Sequence, residues 1–248
     1  MDPGPYARLR SGPRRPPVTA WRRRAASVRL ALLGVPLLLA PVSGRCANPP
    51  SKHAAQHNHT GVLLASRGDL DGAIREFRKA VAIDPRDGEA HDNLGVAYRQ
   101  TGNPFSASRE FREALRLNRR DAKAHYNLGL LLLVDTHDLD GACHELRESV
   151  RCDPDNARAH NNLGIALERR GDVPEALQQF REAVRVDPGL VDAHQNLGAA
   201  LARRGDVDGA IEEFRRALSL DPDNPSILRS LATALDLKAR GAEPNKEM

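Results

Sequence analysis

Five histidines recur along this chain at intervals of 34 or 35 residues: His57, His91, His125, His160 and His194. Imidazole is a common metal ligand, so an evenly spaced set invites a metal site. Geometry argues against it. Two nitrogens on one zinc ion lie about 3–3.5 Å apart, given Zn–N bonds near 2.0–2.1 Å, whereas packed helices lie about 8–10 Å apart. Histidines on successive helices cannot share an ion, and a structural role follows. His53, His57 and His59 form a second group, but no Cys or carboxylate completes a tetrahedral set at a recognised spacing. No metal is expected.

Two residues after four of these histidines stands an asparagine: Asn93, Asn127, Asn162 and Asn196, with His59 before the row and Ser230 after it. Two positions along a helix is about 200°, so the amides point away from the histidine face. A side-chain amide can donate to a peptide carbonyl and accept from a peptide N–H. A row of them would hold an extended chain by its backbone, largely independent of its sequence. The plainer reading is a capping or solvated asparagine. Asparagine is a mediocre helix former, however, and four in register within helices need a reason beyond solubility. Lys123, Tyr126, Arg158 and Arg169 stand beside the row, with Glu89, Asp92, Arg99, Glu168, Asp192 and Arg203. Their signs alternate, so the surface is neither plainly acidic nor plainly basic.

Catalysis has no visible home. The chain contains no Walker loop, G-x-S-x-G, H-E-x-x-H or C-x-x-C, so neither an enzyme nor a cofactor is expected. The three cysteines make no disulfide framework. Cys143 and Cys152 fall on one helix, about 13 Å apart, beyond the roughly 7 Å that a disulfide allows. They read as buried small hydrophobes.

The elements that must position these residues are repeats. Five tandem units span 54–87, 88–121, 122–156, 157–190 and 191–224, most opening with a variant of A-x-x-H-x-N-L-G. Each carries a glycine (Gly61, Gly95, Gly129, Gly164, Gly198), then a small residue (Ala73, Ala107, Ala142, Ala176, Ala210), then a large apolar one (Phe77, Phe111, Leu146, Phe180, Phe214). Apolar residues at helical spacing predict two helices per unit. The pairs Gly68-Asp69, Gly102-Asn103, Gly171-Asp172 and Gly205-Asp206 supply the turns. Pro85, Pro154, Pro188 and Pro222 stop the second helices, and Asp87, Asp121, Asn156 and Asn224 stand at N-caps.

Small, small, large-apolar, small, proline at these offsets resembles the tetratricopeptide repeat family, over residues 54–224. The A-H-x-N-L-G opening is most similar to the superhelix of O-linked N-acetylglucosamine transferases. The resemblance implies an all-α, right-handed superhelical solenoid of helix-turn-helix repeats, closed by a capping helix at 225–240. It also implies that the asparagine row lines a concave groove. It transfers the groove and not the transferase activity. Chaperone-binding relatives use a basic clamp for a terminal carboxylate, but only Lys123 and the asparagines match, so that function does not follow. The expected role is a non-enzymatic scaffold binding an extended segment of another protein. The alternative is an accessory subunit that localises an envelope enzyme complex through its convex face.

Two departures from the repeat carry expectations of their own. The third unit has one extra residue within 134–138 and an apolar first helix. In the repeat frame Leu130 and Leu133 face the groove as an apolar docking spot; alternatively the insertion re-phases the helix and buries both as core. The first unit has Thr60 where the others have leucine, as a terminal repeat often departs from the pattern. Asn58-His59-Thr60 is formally a glycosylation sequon inside a predicted helix, where chance accounts for it.

The first fifty residues differ in kind. Residues 1–29 hold eight arginines and one acid, and 30–42 read LALLGVPLLLAPV. A basic region, a short apolar core and small residues near Gly44 predict a secretory signal at 1–44 and hence an exported protein; a mitochondrial or plastid presequence is the alternative. The apolar core is shorter than the roughly 20 residues of a membrane-spanning helix. Arg45 before Cys46 departs from a lipoprotein box. Of 37 basic and 33 acidic residues, 8 and 1 lie in 1–44, leaving 29 against 32. Without the leader the chain is slightly acidic, which excludes a nucleic-acid argument from its pI. Residues 45–53 read as a linker and 241–248 as a disordered tail.

Overall fold

A computed structural model describes residues 51–242. The predicted signal and Cys46 lie outside the described residues, as does most of the tail. Helices pair as α1 (Lys52–Ser66) with α2 (Leu70–Ile83), α3 (Gly88–Gln100) with α4 (Pro104–Leu117), and α5 (Ala122–Leu131) with α6 (Leu139–Cys152). Then come α7 (Ala157–Arg170) with α8 (Val173–Val186), α9 (Val191–Arg203) with α10 (Val207–Leu220), and the unpaired α11 (Pro225–Ala242). Among the described residues there is no strand and no helix long and apolar enough to cross a membrane. The fold is an all-α solenoid of helix-turn-helix units.

Local chemistry sets most boundaries. Side chains of Asp69, Asp87, Asn103, Asp121, Asp138, Asn156 and Asp206 each accept a backbone N–H in the first turn of the helix that follows. Such caps contribute about 0.5–2 kcal/mol apiece. The capping role extends further upstream than expected. Ser51 Oγ accepts from the Ala54 N–H at 3.1 Å, so Lys52 and His53 belong to α1 and not to a linker. Between helices, the glycine of each first helix meets the large residue of the second. A Cβ on Gly164 would fall 2.5 Å from the Phe180 ring, so only glycine lets α7 and α8 approach this closely.

The third unit absorbs its extra residue as a π-helical turn, Leu132–Thr136, which continues α5. Leu131 and Leu132 fill positions that are buried in the second, fourth and fifth units as well, and the widened turn brings Leu133 into the core beside them. Leu133 is 2% exposed. Its reading as a groove contact is therefore corrected to core, while Leu130 remains half-buried. The same turn places His137 at φ 57, the slot that Gly68, Gly102, Gly171 and Gly205 fill in the other units. A left-handed residue with a Cβ costs about 1–2 kcal/mol. His137→Gly is therefore expected to raise the urea midpoint by up to roughly 1 kcal/mol equivalent, after the entropy lost to glycine is subtracted. An unchanged or lower midpoint would show that the turn carries no strain.

The closing helix buries a different stripe from the one its leucines suggest. Ile227, Leu231 and Ala234 face the array, whereas Leu228 and Leu235 are exposed. These two stand where His194 and Leu201 stand in the fifth unit, positions that pack against a second helix. Among the described residues α11 has no such helix, so its outer leucines remain uncovered.

Candidate functional site

The first helices form one continuous face, and their side chains are tied across units. Asn93 Nδ2 donates to Asn58 Oδ1 at 3.0 Å, Asn127 Nδ2 to Asp92 Oδ1 at 2.8 Å, Asn162 Nδ2 to the Tyr126 hydroxyl at 3.0 Å, and Asn196 Nδ2 to Asn161 Oδ1 at 2.9 Å. Gln195 Nε2 carries the row into α11 through Ser226 Oγ at 3.0 Å. Part of each amide's donor capacity is thus spent inside the array. That fixes the side-chain amides across the units. Among the described residues the Oδ1 atoms of Asn127, Asn162 and Asn196 have no hydrogen-bond partner, and that of Asn93 has only the Lys123 ammonium at 3.4 Å.

Tyr126 and Asp92 were expected beside the row, but their part in tying one unit to the next was not. Asn58, Asp92, Tyr126, Asn161 and Gln195 each stand one residue before the row position of their own unit. A polar residue recurring there was the available signal. Asp92 is the most constrained of them. It is 2% exposed, and the ammonium of Lys123 lies 2.9 Å from its Oδ2 but outside hydrogen-bonding alignment. Charge, not a directed bond, balances that oxygen.

Four positions per first helix lie on the row's face: four residues before the asparagine, the asparagine itself, three after it and seven after it. In the second unit these are Glu89, Asn93, Val96 and Gln100; in the fourth, Arg158, Asn162, Ile165 and Arg169. A recess of about 280 Å³ between α1 and α3 is lined by Val62, Ala65, Ser66, Phe77, Asn93, Val96, Ala97 and Gln100. It demonstrates that the asparagine and the residue three places later share one concavity. Many charges on this face are paired across units: Arg99 with Asp135 at 2.7 Å, Lys123 with Asp92, and Arg203 with Glu168. Arg158 and Arg169 are exposed and, among the described residues, form no ion pair.

The histidines are staples of another kind. Nδ1 of His57, His91, His125 and His194 lies 2.6–2.8 Å from Glu76, Glu110, Glu145 and Glu213 in the second helix of the same unit. His160 meets Gln179 Oε1 instead, at 2.8 Å. Nε2 of the last four reaches back to the carbonyl closing the previous unit, at Pro85, Arg119, Pro154 and Pro188. Each imidazole has partners of its own. Among the described residues no group of three His, Cys, Asp or Glu side chains could hold a metal. Cys143 is buried, and that burial pushes its thiol pKa up, which makes it a poor nucleophile. Asn58, at the sequon, is buried against Asn93.

Repeated helix pairs, a glycine–aromatic contact in most units and a shared first-helix face define a helical-repeat interaction scaffold. Sequence profiles described as "Tetratricopeptide repeat" match residues 131–191, 171–225 and 88–121, and one described as "TPR repeat" matches 61–102. The chain belongs to the tetratricopeptide repeat family. Comparison with curated proteins returned no match. Among solved structures it is similar to MamA, at 27% identity and TM-score 0.60 over 65% of this chain and 94% of that one. It is similar also to YrrB, described as a TPR protein with an unusual peptide-binding site, at 26% identity and TM-score 0.60 over 71% and 91%. Pseudomonas aeruginosa pilF shares the fold at 22% identity and TM-score 0.66, over 76% and 91%.

Proposed function

We propose that this protein is a non-enzymatic scaffold that holds an extended segment of a partner protein on its first-helix face. The observation that carries the reading is the inter-unit amide row, which presents pre-oriented carbonyl oxygens of Asn93, Asn127, Asn162 and Asn196 to a peptide backbone. Preorganisation matters energetically: the array is already rigid, so ordering entropy falls mainly on the ligand. Tyr126, Lys123, Arg158, Arg169 and Leu130 flank the row and contribute selectivity. Similarity to a peptide-binding TPR protein supports the same direction. With the export signal read in residues 1–44, the partner belongs outside the cytoplasm.

A second reading, an outer-face accessory subunit, draws on Phe105. It is 82% exposed at the start of α4, where the other units have Asp71, Asp140, Pro174 and Asp208.

The test is affinity capture from native extract with the full chain and with a variant carrying alanine at Asn93, Asn127, Asn162 and Asn196, both checked as helical by circular dichroism. A partner lost with the alanines is the expected result. A partner retained by them but lost with Phe105→Ser transfers the function to the outer face.

A further inference from the structure

The last helix carries a second apolar stripe besides the one that packs on the array. Leu228, Ala232, Leu235 and Ala239 follow one another at steps of four, three and four residues. At about 100° per residue, all four fall within roughly 60° of the helix surface. All are exposed, Leu228 at 47% and Leu235 at 42%. Ile227, Leu231 and Ala234 point elsewhere, into the array. Leu237 is separate too, standing seven residues after Ser230 and so on the first-helix face. In the fifth unit the positions of Leu228 and Leu235 belong to His194 and Leu201, and α10 is the helix that packs there. α11 packs on α10 and α9, so the side on which its own second helix would lie is open.

Spacing, size and charge say what fits there. Steps of four and three are those of a coiled-coil seam, and along this one large residues alternate with small. Run antiparallel against a copy of itself, the stripe sets Leu228 opposite Ala239 and Ala232 opposite Leu235. Each leucine then meets an alanine, and the helices can approach closely. Charge complementarity selects the same arrangement. Arg229 and Asp236 border the seam on the side away from the array, seven residues apart, beyond the three or four over which side chains of one helix pair. Arg229 forms no ion pair among the described residues; its Nε donates to the Pro225 carbonyl at 3.2 Å. Asp236 accepts from Arg240 of its own helix at 2.7 Å and is still 57% exposed. Reversing the direction of one helix brings Arg229 of each copy beside Asp236 of the other, giving two ion pairs related by a two-fold axis. A parallel pair would set like charges level with each other, which is unfavourable. On the opposite flank Lys238 is held at 2.7 Å by Asp208 of α10.

We infer that α11 is a self-association surface: two copies of this chain pair through antiparallel α11 helices, each supplying the second helix that the other's terminal unit lacks. A single helix pair is a small interface beside the roughly 1,200–2,000 Å² of a stable complex, so the dimer is reversible and concentration-dependent. It leaves the asparagine row of both copies uncovered, and a particle with two such faces gains avidity for a partner that offers two segments. The inference stands on α11 alone and does not depend on the groove reading above.

The test is analytical ultracentrifugation of the full chain from about 5 to about 500 μM, a range that brackets a micromolar dissociation constant. A monomer–dimer equilibrium is expected. Leu228→Ser/Leu235→Ser should weaken it at least about tenfold; both residues are exposed, and circular dichroism checks that the variant keeps its helices. Arg229→Asp and Asp236→Arg should each weaken association, and the two combined should restore it, because opposite charges again face each other across the two-fold axis. A chain that stays monomeric throughout the range overturns the inference. So does a dimer untouched by the leucine variant, which would place association on another part of the chain, residues 1–50 included. Charge reversals whose effects add in the double variant, with no rescue, overturn the antiparallel pairing and the inference with it.

Discussion

Titrating the protein from about pH 6 to about pH 9 is expected to lower its urea midpoint, and the histidine staples are the reason. His91 is 5% exposed. Its Nδ1 lies 2.8 Å from Glu110 Oε2 and its Nε2 3.3 Å from the Pro85 carbonyl. Only the doubly protonated ring donates to both. Burial alone pulls the His91 pKa down, but the bonds to Glu110 and Pro85 and the charges of Glu110 and Glu113 outweigh it and raise it above 6.5. His125 is raised in the same way, against burial, by Glu145, the Arg119 carbonyl and Glu148. A raised folded-state pKa stabilises fully below the unfolded value and is lost as pH climbs through the folded one. Glu110 behaves oppositely. Burial pushes its pKa up, His91 and Arg109 pull it further down, and the net lowering makes its contribution fade only in acid. The array is therefore most stable on the mildly acidic side of neutrality. The double variant His91→Gln/His125→Gln should flatten the alkaline limb. His91→Ala goes further by leaving the buried Glu110 with only the exposed Arg109. Its cost should fall toward the lower end of the roughly 3–5 kcal/mol seen when one partner of a buried pair is removed. A wild-type midpoint that does not fall between the two pH values would mean that the rings are neutral and act by packing alone.

Features set by neighbouring residues were legible in the sequence, and those set by a facing unit were not. Asp87, Asp121 and Asn156 cap helices because an oxygen on a short side chain reaches the next turn's N–H, a local event. The glycine and large apolar residue of each unit were visible as recurring positions, but that they meet within a unit is shown only by the structure. Leu133 stood between groove and core because the repeat frame pointed it outward and the inserted residue inward; the π-helical turn changes the rotation per residue and buries it. Leu228 and Leu235 are exposed for a topological reason: they stand at the core positions of a first helix, but α11 has no second helix to cover them among the described residues. The asparagine row and the neighbouring Asp92 and Tyr126 could be seen, but the bonds between them could not. Asn162 meets the Tyr126 hydroxyl 36 residues away, and periodicity gives the distance between units without saying which side chain crosses it.

Phe180→Ala is expected to cost about 3–5 kcal/mol, the usual range for emptying a buried aromatic site, and to split one unfolding transition into two. The ring is fully buried and fills the space opposite Gly164, so nothing small can replace it without a cavity between α7 and α8. In a solenoid each unit contacts only its neighbours, and stability is close to a sum of unit and interface contributions. A weakened fourth unit should uncouple the segments on either side, where a globular core would fail as a whole. Differential scanning calorimetry should therefore resolve a lower transition, and hydrogen exchange should place it in α7, α8 and their neighbours. The fourth unit also holds one end of each of two amide bonds, Asn162 to Tyr126 and Asn196 to Asn161. Its loosening should weaken partner capture although no residue of the binding face is altered. Leu177→Ala on the same helix provides the comparison: it is also buried, but it does not oppose the glycine, and its cost should fall within about 2–5 kcal/mol. If Phe180→Ala lowered one cooperative transition without splitting it, the interfaces would be strong relative to the units. Recognition on the first-helix face would then be an all-or-none property of the whole array.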